Sequence, residues 1–276
     1  MKFGVNTFGL GPYLREDAEK VWQRLLACGV SSIEPCIAIS RFQPVTEEEK
    51  EKADRGFFDG EFEWDAAAKL IAHLRQMGFE VHSFHHQTRP LSIKDIEKII
   101  PSMKELGLHT CVYSCMESTV AGIRAQGDTI RQADTLLREN GLELLIHNHD
   151  MEWAPEGGSS VMRWLLENIP ELRFELDIGW VEYAGVSSVE IMKKYPDRFP
   201  LLHIKEIAPN AKARTNQPFC TAPGKGILPL REILKTAKGM PLEDRAFVID
   251  QDDSISGDIV ADIAEGIQTI QQLMKE

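Results

Sequence analysis

Cysteine is scarce in this chain and is not arranged for cross-linking. The 276 residues include 5 cysteines: Cys28, Cys36, Cys111, Cys115 and Cys220. The count is odd, no CxxC pair occurs, and Cys111 and Cys115 stand four apart in a strand-like segment. A disulfide framework and a zinc ribbon are both poor readings, and a reducing compartment is expected. Positive charge is also short. Lys and Arg number 31 against 43 Asp and Glu, a formal charge of −12, and no Lys/Arg cluster occurs. Nucleic-acid binders usually carry a basic face, so that class is disfavoured. No apolar run reaches membrane length, and Lys2-Phe3-Gly4-Val5 enters a strand pattern directly, so neither a span nor a signal peptide is expected. No Pro/Gly/Ser-rich linker or low-complexity tract divides the chain. Thr7-Phe8-Gly9-Leu10-Gly11 supplies only a GxG fragment of a dinucleotide loop. These absences leave one domain over residues 1–276, cytoplasmic, with no nucleic-acid or membrane partner.

What is present is ordinary in bulk: 43% hydrophobic and 27% charged residues. The length suits one α/β barrel of about 250 residues. Strand patterns fall at 2–9, 32–37, 80–87, 110–115, 142–149, 173–179, 201–207 and 246–251. Helix patterns fall at 17–28, 65–77, 93–106, 120–140, 159–168, 189–195, 227–238 and 257–275, several closed by Gly. The run Glu47, Glu48, Glu49 and Lys50 belongs to a polar loop over 46–60 and reads as a solvated surface turn. Short apolar strands alternating with helices imply parallel strands and right-handed crossovers. Eight units imply closure into a (β/α)8 barrel. An open doubly wound sheet is the alternative, and it would want the Gly-rich loop that is missing.

The apolar strands of the second half end in polar groups. Leu144-Leu145-Ile146 runs into His147-Asn148-His149-Asp150, and Phe174-Glu175-Leu176 into Asp177. Leu201-Leu202 runs into His203-Ile204-Lys205, and Phe247-Val248-Ile249 into Asp250. In a barrel these ends meet at the C-terminal mouth. Strand alternation puts His147 with His149, His203 with Lys205, and Ser83 with His85. The carboxylates and imidazoles make a mixed N/O set suited to Mn²⁺, Zn²⁺, Co²⁺ or Fe²⁺ rather than Ca²⁺. Blander readings stand beside this one. A single inward His is more often a satisfied core residue. Asp177 and Asp250 could cap the next helices, and Lys205 could pair with Glu34 or Asp250.

Several pieces resemble a known group in the group's own order. They are IHNHDMEW (146–153), FELDIGWVEYAG (174–185), RFPLLHIKE (198–206), APGKGIL (222–228) and VIDQD (248–252), with looser matches at SIEP (32–35) and SFH (83–85). Together they resemble the sugar phosphate isomerase/epimerase group of the xylose-isomerase-like TIM barrels. The resemblance implies one divalent metal, Mn²⁺ or Zn²⁺ (Co²⁺ or Fe²⁺ in reserve), held by Glu, Asp, His and Glu from strands five to eight. Carried over, the metal ligands are His147, Asp177, His203 and Asp250. His147 and Asp250 stand where Glu is usual, and the exchange of Glu for His favours a borderline metal over Mg²⁺.

The implied chemistry is isomerisation or epimerisation of a sugar or keto-sugar, by proton abstraction next to a carbonyl through an enediolate. His149 is the candidate base, Lys205 the oxyanion partner, and Glu152 or Asp250 the second acid/base. Glu34, His85 and Trp180 are the candidate substrate contacts. Expulsion of a β-substituent by the same site would make a dehydratase or lyase acting on a keto-inositol or 3-keto-glycoside. Two rivals belong to other classes: a nuclease of the same fold, disfavoured by charge, and a metal-free sugar-binding barrel. Gly224-Lys225-Gly226 could offer amides to a phosphate or form a plain turn. A homodimer is the assembly considered.

Overall fold

A computed structural model describes residues 2–38, 50, 60–86, 91–213, 215, 217–241 and 247–276. Its strands are β1 (Phe3–Asn6), β2 (Val30–Glu34), β3 (Cys36–Ala38), β4 (Glu61–Glu63), β5 (Ser83–His86), β6 (Thr110–Ser114), β7 (Glu143–His147), β8 (Arg173–Asp177), β9 (Leu201–Ile204) and β10 (Phe247–Ile249). Between them lie α1 (Gly11–Ala27), α2 (Trp64–Met77), α3 (Ile93–Leu106), α4 (Val120–Glu139), α5 (Val161–Asn168), α6 (Ile178–Tyr183), α7 (Ser188–Lys194), α8 (Leu230–Ala237) and α9 (Ile259–Lys275).

All ladders are parallel, in the order β2-β1-β10-β9-β8-β7-β6-β5-β3-β4. β2 and β3 are one extended stretch broken at Pro35, which has no N–H for a ladder. β2 pairs with β1, and β3 pairs with β5. His85 N–H donates to Pro35 O at 2.9 Å, and Ser32 bridges Glu80. The two halves of the row thus meet in one stave, and the sheet closes into an eight-staved barrel. β4 adds a short strand beside β3, in a stretch that the sequence pattern assigned to no element.

Register sorts the side chains into two layers. Phe3, Val5, Ile33, Phe84, Tyr113, Ile146, Phe174, Leu176, Leu202 and Ile249 pack in the main core between sheet and helices. The inward positions are different. Val112, Leu145 and Leu201 form a small separate apolar cluster. Above it the inward positions are Asn6, Glu34, His85, Ser114, His147, Glu175, Asp177, His203 and Asp250, all buried. Barrel interiors are normally filled by bulky branched residues. Here that filling is confined to the lower layer, and the upper layer is polar.

Element ends depart from the sequence pattern for local reasons. β1 stops at Asn6, whose Oδ1 accepts the N–H of Phe8 at 2.9 Å. α1 begins at Gly11-Pro12 rather than Asp17. Asp17 is a non-helical kink inside it, with Oδ1 accepting the Lys20 N–H at 3.1 Å, so it still acts as a cap. The seventh and eighth strands of the fold, β9 and β10, are shorter than expected, and the expected sixth strand gives way at residue 178 to α6. Glu47–Glu49, Gln87 and Ala246 lie outside the described residues. None of the five cysteines is in a disulfide. No helix among the described residues is long and apolar enough to cross a membrane.

Two tests follow from this architecture. A Cβ on Gly179 would lie 2.0 Å from the backbone O of Lys205. Gly179→Ala is expected to push β9 away from α6 and lower stability by about 1–3 kcal/mol in chemical denaturation; an unchanged midpoint would contradict the close approach. The second concerns His86, on the helix-facing side of β5, fully buried and with neither ring nitrogen hydrogen-bonded among the described residues. Burial, with a smaller push from His85, lowers its pKa from 6.5 to about 4. Between those two values the unfolded ring is protonated and the folded ring is not, so stability is lost as pH falls through the window. The loss from this group reaches about 3 kcal/mol at the acid end. His86→Phe should therefore show a shallower fall in urea midpoint from pH 6.5 to 4 than the parent chain. Equal slopes would show that His86 is not responsible.

Candidate metal centre

The polar ends of four staves, β7 to β10, converge at the mouth. On β7, His147 is the last ladder residue. Beyond it the Asn148 side chain takes over the pairing, its Nδ2 donating to Asp177 O and its Oδ1 accepting the Asp177 N–H, both at 3.1 Å. That bridge fixes the backbone of Asp177 against β7. Asp177 then divides its carboxylate. Oδ1 caps α6 by accepting the Trp180 N–H at 3.0 Å. Oδ2 makes no hydrogen bond among the described residues and lies 3.9 Å from His147 Nε2. One oxygen thus caps a helix, as one of the two expectations had it, and the other faces the mouth.

β9 brings His203, whose Nδ1 lies 3.1 Å from Asp250 Oδ2 on β10's end. The Oδ1 atom of Asp250 has no hydrogen bond among the described residues. Donor atoms of His147, Asp177, His203 and Asp250 all lie within 4.8 Å of one another. Lys205 enters from the other side, 3.0 Å from Asp250 Oδ2 and 2.6 Å from Asp252 Oδ1. Its partner is thus Asp250, one of the two expected, joined by Asp252, which the sequence reading did not single out.

A deeper group lies beneath. Glu175 Oε2 is 2.9 Å from His85 Nε2, 3.0 Å from His203 Nε2 and 3.4 Å from His147 Nδ1. Glu34 accepts from Asn6 Nδ2 at 3.0 Å and Ser83 Oγ at 2.7 Å, and its Oε1 lies 3.0 Å from His203 Nε2. The remaining nitrogen of His85, Nδ1, faces Ser114 Oγ at 3.4 Å. Glu34 and His85 thus sit in the floor of the site with protein partners on their polar atoms. Glu175 was missed, although alternation from Asp177 places it on the same inward face.

The acid/base candidates lie nearer the rim. The His149 ring is 5.0 Å from that of His147 and 5.9 Å from Trp180. Its backbone N–H donates to Glu152 Oε2 at 2.9 Å, and its Nδ1 lies 3.8 Å from Glu152 Oε1. Glu152 has no exposed surface, whereas the His149 side chain is 19% exposed. Trp180 is buried with Phe219, Ile207 and Cys220, and the Lys205 Nζ stands 5.5 Å over its ring. The amides around Gly224–Gly226 are taken. Glu206 accepts from Gly224 N–H at 2.9 Å and Leu228 N–H at 3.0 Å, so this loop is a turn built on a buried carboxylate.

Electrostatics show what the set lacks. Glu34, Glu175, Asp177 and Asp250 are buried, and Lys205 is the one permanently charged cation among the buried described residues at the mouth. Burial holds the Asp177 carboxyl well above the carboxylate range, with Asp250 adding to it and Lys205 opposing. Burial acts the same way on Asp250, but Lys205 and His203 outweigh it and keep that carboxyl well below its usual range. Burial disfavours charge on both imidazoles. It prevails at His147, which is lowered, whereas Glu175 and Asp250 overcome it at His203, which is raised. Unpartnered carboxylate oxygens beside two imidazoles are what a divalent cation would satisfy. The residues present fit such an ion, with His147, Asp177, His203 and Asp250 around it.

No protein-family model matches the chain. No curated protein matches it either. Solved structures do. A sugar phosphate isomerase/epimerase from Parabacteroides distasonis ATCC 8503 is 19% identical, with 98% of this chain and 93% of that one covered and a TM-score of 0.70. The probable 3-DHS dehydratase AsbF involved in petrobactin synthesis, from Bacillus anthracis, is 14% identical, covering 98% and 99%, with a TM-score of 0.64. A xylose isomerase-like TIM barrel protein from Mycobacterium smegmatis in complex with magnesium is 13% identical, covering 99% and 96%, with a TM-score of 0.61. At 13–19% identity over nearly whole chains, what is shared is architecture, and the chain has the fold of the xylose isomerase-like TIM barrels.

Proposed function

We propose that the chain is a metal-dependent enzyme that removes the proton next to a carbonyl in a small sugar or keto-sugar and returns it as an isomerase or epimerase. One observation carries the reading. A four-residue N/O ligand set, a half-buried imidazole and a buried lysine meet at one barrel mouth, though they come from separate strands. A bound Mn²⁺ or Zn²⁺ would supply charge stabilisation for oxygen on the substrate carbonyl.

The chain's own residues do the rest. His149 takes the proton, and Glu152 beside its Nδ1 stabilises the resulting imidazolium. Glu152 lies beside the His149 ring and accepts its backbone N–H, so its part is to hold His149. Burial disfavours charge on Lys205, but Asp250 and Asp252 outweigh it and keep the amine charged, so it stabilises a developing oxyanion rather than moving a proton. Glu34 and His85 support the imidazoles from below, and Trp180 walls Lys205. The acidic mouth and the −12 charge do not suit a nucleic-acid backbone. Elimination of a β-substituent by the same residues is the second reading, favoured by the likeness to a dehydratase.

Protein purified without chelator is expected to hold about one equivalent of a transition metal, the stoichiometry of a single four-ligand site. Asp177→Ala and His203→Ala should lose it. His149→Asn should keep the metal yet slow deuterium exchange from D₂O into a keto-sugar by roughly 10²–10⁴-fold. The substrate test is proton NMR of a panel of ketoses and keto-inositols, where exchange without net elimination supports the isomerase reading and loss of water supports the lyase. If the Asp177 and His203 variants leave both metal content and exchange unchanged, the proposal is wrong.

A further inference from the structure

Glu175 stands where a barrel interior normally carries an apolar residue. A buried carboxylate is costly unless it is paired, and this one has imidazoles for company. Its Oε2 faces one nitrogen from each of three rings: His85 Nε2, His203 Nε2 and His147 Nδ1, at 2.9, 3.0 and 3.4 Å. The two rings nearest the mouth use opposite nitrogens for the two tasks. His147 turns Nδ1 down to Glu175 and Nε2 up towards Asp177. His203 turns Nε2 down to Glu175 and Nδ1 up towards Asp250. A carboxylate only accepts hydrogen bonds, so a neutral His147 ring, with Glu175 3.4 Å from Nδ1 and Asp177 no nearer than 3.9 Å to Nε2, is driven to carry its hydrogen on Nδ1 and to leave its lone pair on Nε2. His203 has carboxylates at both nitrogens, so there Glu175 holds the ring in place without choosing a tautomer.

We infer that Glu175 is the positioning residue of the metal centre, a single carboxylate behind both imidazole ligands that holds the two rings and selects which nitrogen of His147 is offered to the cation. The inference rests on the metal-centre reading above and adds a residue outside the four ligands. Glu34 assists at His203 only, since its Oε1 shares that ring's Nε2 at 3.0 Å. Glu175 is common to both rings, and its removal releases both at once. A hydrogen-bonded outer residue fixes tautomer and ring angle and raises ligand basicity, and its loss typically weakens metal binding by about 10–100-fold. The histidine at position 147 makes this support necessary. A glutamate ligand would have two equivalent oxygens and no tautomer to choose, whereas an imidazole binds only through the nitrogen that lacks a proton.

The test uses Glu175→Gln and Glu175→Asp in the full chain. Zn²⁺ affinity is measured by competition with a chromophoric chelator. Imidazole tautomers of the metal-free protein are read from long-range ¹H–¹⁵N NMR. In the parent chain His147 should be the Nδ1–H form. Glu175→Gln should scramble that tautomer and weaken Zn²⁺ about 10–100-fold. Glu175→Asp, which keeps the acceptor, should recover part of both. A purely structural role would lower the melting temperature in both variants without touching the tautomer. The inference is overturned by Glu175→Gln binding Zn²⁺ as the parent does with tautomers unchanged. It is equally overturned by an anomalous difference map that places the metal in direct contact with a Glu175 oxygen, which would make it a ligand. Should the parent chain bind no Zn²⁺ or Mn²⁺ while the tautomer still follows Glu175, the positioning role stands and the metal-centre reading falls.

Discussion

The constraint on which this molecule depends is buried charge inside the barrel. Glu34, Glu175, Asp177 and Asp250 lie within it, with Lys205 as their fixed counter-ion. Each unpaired buried carboxylate opposes folding by several kcal/mol. The fold answers by placing imidazoles between carboxylates, so that every ring touches an acid on at least one side. The remaining imbalance falls on one oxygen each of Glu175, Asp177 and Asp250, the last two beside the position a cation would take. The site is thus both the least neutral and the least satisfied part of the interior, and binding an ion there would relieve both conditions.

Rigidity at the mouth comes from side chains that replace backbone pairing. The Asn148 bridge to Asp177 continues the sheet past the last ladder bond of β7. Asp177 spends one oxygen on the α6 cap. Glu206 ties down residues 224–228 from beneath. Gly179 lets α6 approach the Lys205 backbone, where a Cβ would collide. The Asn148 bridge, the Asp177 cap and the close approach at Gly179 each hold a segment that carries a candidate functional group.

Much of this was legible in the sequence because period-two alternation and strand-end polarity are local signals. Ile93–Leu106 appears with the bounds its pattern gave. The convergence of residues 147, 177, 203 and 250 followed from one assumption, closure of the barrel. Other features were hidden because they depend on distant partners. Asn148 reads as the next residue of a strand until Asp177 is set beside it. Glu175 reads as a lone acid within an apolar run until the imidazoles of β5, β7 and β9 surround it. Phase alone could have flagged it, since Glu175 and Asp177 are two apart and must face the same way. The Gly224–Gly226 loop misled in the opposite direction: its free-looking amides are already used by Glu206, an acid eighteen residues earlier in the case of Gly224.

The arrangement also divides labour among the polar groups. Lys205 is held between two carboxylates, so deprotonating it would leave Asp250 and Asp252 without their cation. It is therefore suited to stabilising negative charge and unsuited to proton transfer. His203 and His147 face Glu175 below and the carboxylates of Asp250 and Asp177 above. Glu152 is buried beside His149. His149 alone among these combines partial exposure, closeness to the ligand set and a carboxylate that steadies its charged form. In the proposed reaction His149 is therefore the group placed to move a proton, with the deeper histidines placed to hold an ion.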